Sequence, residues 1–401
     1  MRTSIQGMPH FILYIVWLCS SCNNPKLEVE IILPDHPVSI FDLCEDIQFL
    51  RLGDTLQEES LFSKVQNAYF LDSFIVFGQN GMSYPDHGQY YYFDYDGNFL
   101  HRFNSNEVVK DGLIFATGFY ANEEGVFITD KVRNTIFHTD HYGNLVEFFD
   151  SVNKASLYLP ISEDTILYSY NRDKPMGLLD DHDIYDFFLY SEESGQIFEK
   201  GVRDIPEWLR VKYGDIQLIK SPNNGYLYHC TVRDPDYIIY EMTPRRISEI
   251  DRLVFYNAMI DEKELENSPK KRQGGQYYRD ANVVTDVFAI QRVNNEIFCM
   301  IDRGFGTNYL VRKNLETGES RAVQIDWLNM VARDYVLRAR VLDYTKNEYL
   351  VMFSPATTFK PFYDQNKELL QPFLKNDFTD FSYSDNDVMI FLKFKKEHYD
   401  M

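Results

Sequence analysis

The most regular feature of the chain is a run of short apolar stretches that alternate with polar positions and break at turns. Tyr91-Tyr92-Phe93-Asp94-Tyr95-Asp96-Gly97-Asn98-Phe99-Leu100 predicts two strands joined at an Asp-Gly turn, because the turn needs a positive φ that glycine supplies at little cost. Ile136-Phe137-His138-Thr139-Asp140-His141-Tyr142-Gly143-Asn144-Leu145 repeats it, with Gly143 46 residues after Gly97 and Asp140 in the place of Asp94. A third copy, Phe188 to Ile197, turns at Gly195, 52 residues further on. A weaker fourth turns at Pro244, and a fifth, Leu310 to Glu319, turns at Gly318.

A second β-rich segment precedes each hairpin. These are Phe74 to Phe77, Gly125 to Asp130, Thr165 to Tyr170, Tyr226 to His229 and Asn295 to Met300. A sixth unit starts at Tyr349 to Phe353 and finishes in Val388 to Phe394. Four strands in every 40 to 50 residues is the period of propeller blades. Parallel β-helices have shorter repeats, and a two-sheet sandwich would not preserve the Asp-x-x-Gly offset. The pattern therefore predicts an all-β chain, a six-bladed β-propeller of four-stranded antiparallel blades. The first mature strand is expected to pair with the last blade and close the ring, which protects strand edges.

Three further segments tie this pattern to a family. Phe41-Asp42-Leu43-Cys44-Glu45-Asp46-Ile47-Gln48-Phe49-Leu50-Arg51-Leu52-Gly53-Asp54, then Glu59 to Val65, resemble the opening of the six-bladed, NHL-like β-propeller lipoproteins of Bacteroidetes. The tail Asn386 to Lys395 resembles that family's closing strand, with Asp387 where proline is common. The resemblance spans nearly all of the mature chain and implies the fold and an envelope address. The family is mostly without assigned function, so it implies little chemistry. The loop after the first hairpin departs from it: Phe103 to Gly112 stands where the family often has a glycine-rich, proline-containing loop.

Composition sharpens this picture. Hydrophobic residues make up 44% of 401 positions, enough for a large buried core, and the aromatic excess of 31 Phe and 29 Tyr suits blades packed on both faces. There are 61 Asp and Glu against 40 Lys and Arg, a net charge of −21, which argues against nucleic acid because that partner needs a basic footprint. At the N-terminus, Arg2 and the apolar run Phe11 to Leu18 are too short to span a bilayer but suit a signal peptide. Ser20-Ser21-Cys22 then resembles a bacterial lipobox with Cys22 as the lipid acceptor, although Cys19 stands where Leu or Val is usual. An ordinary cleaved signal peptide and a buried N-terminal strand are the alternatives. Cys44, Cys230 and Cys299 lie far apart with no CxxC spacing and read as small buried hydrophobes.

Candidate chemistry is sparse. The 74 residues from Pro244 to Gly318 hold one blade plus an insertion near 257–280. That insertion carries a helix candidate at Met259 to Glu266, the basic run Lys270-Lys271-Arg272, and then Tyr277, Tyr278 and Arg279. A basic, aromatic loop in an acidic protein suits an anionic or sugar ligand, although a solvated connector would read the same way. Ile205 to Arg210 and Asp326 to Met330 are further short helix candidates, whose Trp208 and Trp327 would cap the core or stack on sugars. Arg303-Gly304-Phe305-Gly306 is a turn that would aim Arg303 at a central pocket. Asp180, Asp181, His182 and Asp183 form an acidic loop that calcium or a transition metal would suit, without ligand spacing of known meaning. Asp94-x-Asp96-Gly97 looks like the start of a calcium loop but lacks the downstream ligands. No sialidase box, Gly-x-Ser-x-Gly elbow, phosphate loop or His-Glu-x-x-His is present.

The expectation is a signal peptide at 1–21, a tether at 22–38 and a single propeller at 39–401. The role expected is non-catalytic binding of a glycan, peptide or envelope protein through the loop face, by a monomer held at the outer membrane through Cys22. No cofactor is expected, with a calcium ion at the acidic loop as the alternative. The alternative is a propeller hydrolase or lyase with a divalent cation near the central channel.

Overall fold

The computed structural model describes residues 30–53, 60–62, 67–80, 87–108, 116–130, 132–152, 155, 157–169, 185–203, 219–221, 225–229, 237–261, 263, 280–304, 306–331 and 349–395. Two strands, β1 (Pro37–Ser39) and β2 (Cys44–Arg51), flank a four-residue helix, α1 (Ile40–Leu43), ahead of the repeat. Blade 1 is β3 (Asn67–Phe70), β4 (Ile75–Asn80), β5 (His87–Phe93) and β6 (Phe99–Asn104), followed by the short helix α2 (Ser105–Val108). Blade 2 is β7 (Ala116–Asn122), β8 (Gly125–Asp130), β9 (Thr135–Thr139) and β10 (Leu145–Asp150). Blade 3 is β11 (Leu157–Pro160), β12 (Thr165–Ser169), β13 (Tyr185–Ser191) and β14 (Gln196–Arg203). Blade 4 is β15 (Ile219–Ser221), β16 (Gly225–His229), β17 (Ile238–Thr243) and β18 (Arg246–Arg252). Blade 5 is β19 (Val284–Val293), β20 (Glu296–Arg303), β21 (Thr307–Asn314) and β22 (Ser320–Asp326). In blade 6, β23 (Leu350–Ser354) and β24 (Val388–Phe394) are joined by β2 from the N-terminus.

The fold is the expected six-bladed propeller, and β2 closes it by pairing antiparallel with β24, from Cys44 opposite Phe394 to Arg51 opposite Val388. First strands of neighbouring blades touch, β3 with β7 and β7 with β11, which places them innermost. The strands between inner and outer positions are covered on both faces by neighbouring blades. Every residue of β8, β12 and β23 is accordingly buried.

The repeated turn has a physical cause. In both of the first two hairpins one aspartate organises the corner. Asp94 Oδ1 accepts the amides of Asp96 and Asn98 at 2.9 and 2.8 Å, and its Oδ2 accepts Asn98 Nδ2 at 2.8 Å. Asp140 makes the same three contacts with Tyr142 and Asn144 at 2.9, 2.8 and 2.8 Å. Gly97 and Gly143 follow at φ 86° and 82°. The calcium-like spelling at Asp94 is thus a hairpin turn whose carboxylate is taken up by its own backbone.

The N-terminal segment does more than close the ring. Ile31 is fully buried, donates its amide to Val254 O at 2.7 Å and accepts Tyr256 N at 3.0 Å at the end of blade 4. β1 then runs parallel to β22 of blade 5, and β2 enters blade 6. From Ile31 onward, the segment read as a tether at 22–38 is therefore built into the fold, crossing blades 4, 5 and 6 in turn.

One local expectation is corrected and another is narrowed. Asp326 to Met330 is a turn, not a helix: Asp326 Oδ1 accepts Leu328 N at 2.9 Å, and Leu328 and Asn329 take φ of 52° and 62°, which no right-handed helix can continue. Met259 to Asp261 is also non-helical, with Met259 Sδ accepting Phe255 N at 3.2 Å. Lys263, the other described residue of that candidate, is helical; the rest of it and all of Ile205 to Arg210 lie outside the described residues. The connection from β23 to β24 holds what sequence patterning passed over: α3 (Ala356–Gln365), α4 (Lys367–Leu370) and a 3₁₀ turn at Gln371–Phe373. Phe359, Phe362, Tyr363, Phe378 and Phe381 make its core, and Phe359 packs on Phe49 of β2 with ring centres 5.1 Å apart. Leu374 bridges to Phe49, so this insertion covers the outer edge of the closing strand.

Candidate functional site

Within each antiparallel blade, the first-to-second and third-to-fourth connections lie at one end of the sheet. The second-to-third connection and the crossing to the next blade lie at the other. The first end carries short turns, such as 71–74, 123–124, 294–295 and 94–98, 140–144, 192–195. The second end carries the long connections 170–184, 204–218, 253–283, 327–349 and 355–387. Of the candidate binding residues, Arg303, at the end of β20, and Trp327, just after β22, are among the described residues and lie at this end. Lys271, Arg272, Tyr277, Tyr278, Arg279, Trp208, Asp180, Asp181, His182, Asp183 and the acceptor Cys22 lie outside them.

Arg303 ends β20, beside the point where the 253–283 connection returns to the sheet. Its Nε donates to Asn282 O at 2.8 Å, and the amide of Gly304 donates to Val283 O at 2.9 Å. Gly304 needs to be glycine: its φ is +60°, and a Cβ there would come within 2.8 Å of Asn282 Oδ1. The turn therefore clamps the base of the connection that carries the basic, tyrosine-rich run. The two terminal guanidinium nitrogens of Arg303 have no partner among the described residues.

Next to it is a buried polar corner that sequence reading missed. Asp302 is fully buried; its Oδ2 accepts Thr285 Oγ1 at 2.7 Å and its Oδ1 accepts Asn308 Nδ2 at 3.1 Å. Asn308 Oδ1 in turn accepts Trp327 Nε1 at 3.0 Å, so Trp327 caps the core as a satisfied buried indole. Asp286 stands directly opposite Asp302 in the β19–β20 register and is also buried. This network stiffens the end of blade 5 from which Arg303 projects. No linear motif marks it, because the register across three strands brings its members together.

One more acid at this end is unusual. Asp387 begins the return to β24, is 9% exposed, and its burial pushes the carboxyl up to about 7. Its neighbour Asn386 bonds Leu52 O at 2.9 Å, Ser60 O at 2.8 Å and Phe62 N at 2.8 Å, which holds this strand entrance in place. Among the described residues no group of three or more His, Cys, Asp or Glu side chains is placed to hold a metal ion. Cys44 and Cys299 are buried and unbridged, and burial pushes both thiols up, as expected of small core hydrophobes.

No family model matches the sequence, and no curated protein matches it. Solved structures match in shape. A protein of Bacteroides fragilis described as exported superposes with a TM-score of 0.63 at 12% identity, over 92% of this chain and 99% of its own. A member of the DUF4221 family from Bacteroides vulgatus gives 0.50 at 10% identity, over 88% and 97%. At these identities the likeness is one of fold: a six-bladed propeller spanning nearly the whole of each chain.

Proposed function

We propose that this protein is an exported propeller, held to the cell envelope by a lipid on Cys22, that binds an anionic glycan, peptide or partner protein without catalysis. Binding is through the end of the blades that bears the long connections. The observation that carries this reading is the asymmetry of the two ends: tight, self-bonded turns at one, and long connections with Arg303 at their base at the other. The basic run Lys270 to Arg272, in a chain of net charge −21, favours an anionic ligand. Export is supported by the lipobox-like Ser20-Ser21-Cys22 and by the description of the Bacteroides fragilis neighbour.

The test is a glycan and peptide panel on the wild-type chain and on a variant with Lys271, Arg272, Tyr277 and Tyr278 changed to Ala. The expected result is binding of anionic members that the variant loses by about tenfold or more. Equal binding by both proteins removes the site from this connection. A hydrolase or lyase is the second reading, favoured by Asp387 with its carboxyl near 7. Cleavage products from the same panel incubated with calcium would support it over binding alone. For the anchor, Cys22→Ala is expected to move the protein from the membrane to the soluble fraction; an unchanged membrane-bound fraction refutes lipid attachment there.

A further inference from the structure

The outer strands of the six blades differ in what covers them. The open edge of β22 is taken by β1, and that of β2 by the segment at Leu374. β14 and β18 lie against each other, with Gly201 so close to Ile247 that a Cβ would come within 2.5 Å. On β10 the side away from β9 has no strand among the described residues. Of the β10 side chains, Leu145, Val146 and Phe148 are 40, 58 and 66% exposed, although its hairpin partner β9 is buried from Ile136 to Thr139. An unpaired edge is normally guarded by lysine or proline. The hairpin from Asn134 to Val152 has neither, only Glu147 and a bulge between Leu145 and Glu147.

Charge and a fixed aromatic ring complete this surface. Across Asn134 to Val152 there are Asp140, Glu147 and Asp150 and no Lys or Arg, with exposed Glu123 and Glu124 on the adjoining turn. Asp140 is held ionised by Asn144 and by the amides of its own turn, and Glu147 Oε1 lies 3.4 Å from His138 Nδ1. At the hairpin tip Tyr142 is 73% exposed, and one face of its ring is stacked on His101, centres 4.9 Å apart and 22° from parallel. His101 is itself stacked on Tyr92 at 4.2 Å and bonded through Nε2 to His141 O at 2.8 Å. The ring of Tyr142 is therefore held rigid with its other face to solvent and acids nearby, an arrangement that attracts a cation.

We infer that the β10 edge is a docking surface for an extended polypeptide segment of a partner protein in which apolar and basic residues alternate. Such a segment adds to β10 as a fifth strand, as β1 does to β22. Its backbone satisfies the open N–H and C=O groups, its apolar side chains cover Val146 and Phe148, and a Lys or Arg seats over Tyr142. A second copy of this chain is the poorer occupant: each carries a net charge of −21, and antiparallel self-pairing centred on Glu147 would oppose two like charges. This surface is at the blade rim, apart from the long connections, and does not rest on the function proposed above.

The probe is a fluorescent peptide of about ten residues alternating Val and Lys, titrated in about 150 mM salt so that long-range charge effects are screened. Saturable binding is expected, weakened about tenfold or more by Phe148→Lys and by a smaller factor by Tyr142→Ala and Glu147→Lys. The same peptide N-methylated at every residue, which blocks both of its edges, is expected not to bind. Equal binding of the methylated peptide, or of the native peptide to Phe148→Lys and Glu147→Lys, overturns the inference. So does a wild-type dimer in solution that Phe148→Lys dissolves. Glu147 is solvent-exposed, so its variant keeps the test valid should Phe148→Lys fold poorly.

Discussion

Replacing Lys313 by Met lowers the stability of the chain by about 3–5 kcal/mol. Lys313 lies on β21 and reaches into the seam between blades 5 and 4. There its Nζ meets both carboxylate oxygens of Asp251 on β18, at 2.9 and 3.0 Å, and Arg252 O at 2.8 Å. The two side chains are only 6 and 8% exposed, so water cannot take over when one partner leaves. Removing Lys313 strands a carboxylate beside the buried Cys299, and the cost is that of an unpaired buried charge rather than of a lost contact. The double change Lys313→Met with Asp251→Leu is expected to recover most of the loss. The neighbouring residue gives the contrast. Arg312 points to the other face of the same strand, where it pairs with Glu296 and covers Phe298, each partner about a quarter exposed. Breaking that pair is worth at most about 1 kcal/mol. Urea unfolding of the single and double variants checks the claim. A loss at Lys313→Met no larger than at Arg312→Met would show that the seam is wetter than its burial implies.

What could be read from the sequence and what could not divide along a physical line. The Asp-x-x-Gly hairpins were legible because one aspartate, one glycine and the residues between them set the turn locally; contacts from afar, such as Asn376 Nδ2 to Asp96 O and Gly53 N to Gly97 O, only add to it. β2 and β24 were legible as a closing pair because they stand near opposite ends of the chain, β24 as a near-continuous apolar run and β2 with Ile47 and Phe49 alternating around Gln48. The insertion between β23 and β24 was not, because its helices are short, contain Pro361, and take their order from Phe49 packed beneath Phe359. Ile31 and Leu33 were read as tether although Leu27, Val29, Ile31 and Leu33 stand on alternate positions, a strand-like period; the partner that period meets, the backbone at Val254, is 223 residues away from Ile31 in sequence. At the candidate site, Arg303 was picked out by its Gly-x-Gly turn. The reading that it aims at a pocket came from the turn alone, whereas its Nε holds the backbone of Asn282. Asp286 and Asp302 were invisible because 16 positions of sequence separate two residues that the register sets face to face.

A change of Asp387 to Asn makes the chain more stable at pH 8 and has little effect near pH 4. The wild-type carboxyl is buried at the entrance to β24 and titrates at about 7, against 3.8 in an unfolded chain. Between those two values the folded protein holds a proton that the unfolded chain has released, so stability falls as pH rises through the window. The whole difference amounts to about 4 kcal/mol at 1.36 kcal/mol for each pH unit. Asparagine keeps the shape of the protonated acid and cannot ionise, so its stability stays level where that of the wild type declines. Acids whose folded forms favour ionisation, such as Asp140 with its ring of amides, act in the opposite sense and weaken the fold only as pH falls below the ordinary carboxylate range. The wild-type optimum is therefore expected at mildly acid pH and that of Asp387→Asn at neutral pH. Denaturant midpoints for both proteins from pH 4 to 8 decide the matter, and a constant offset between the two curves would show that Asp387 ionises freely. An aspartate buried here at such a cost is a reason to look at this end of the blades for a proton-dependent ligand.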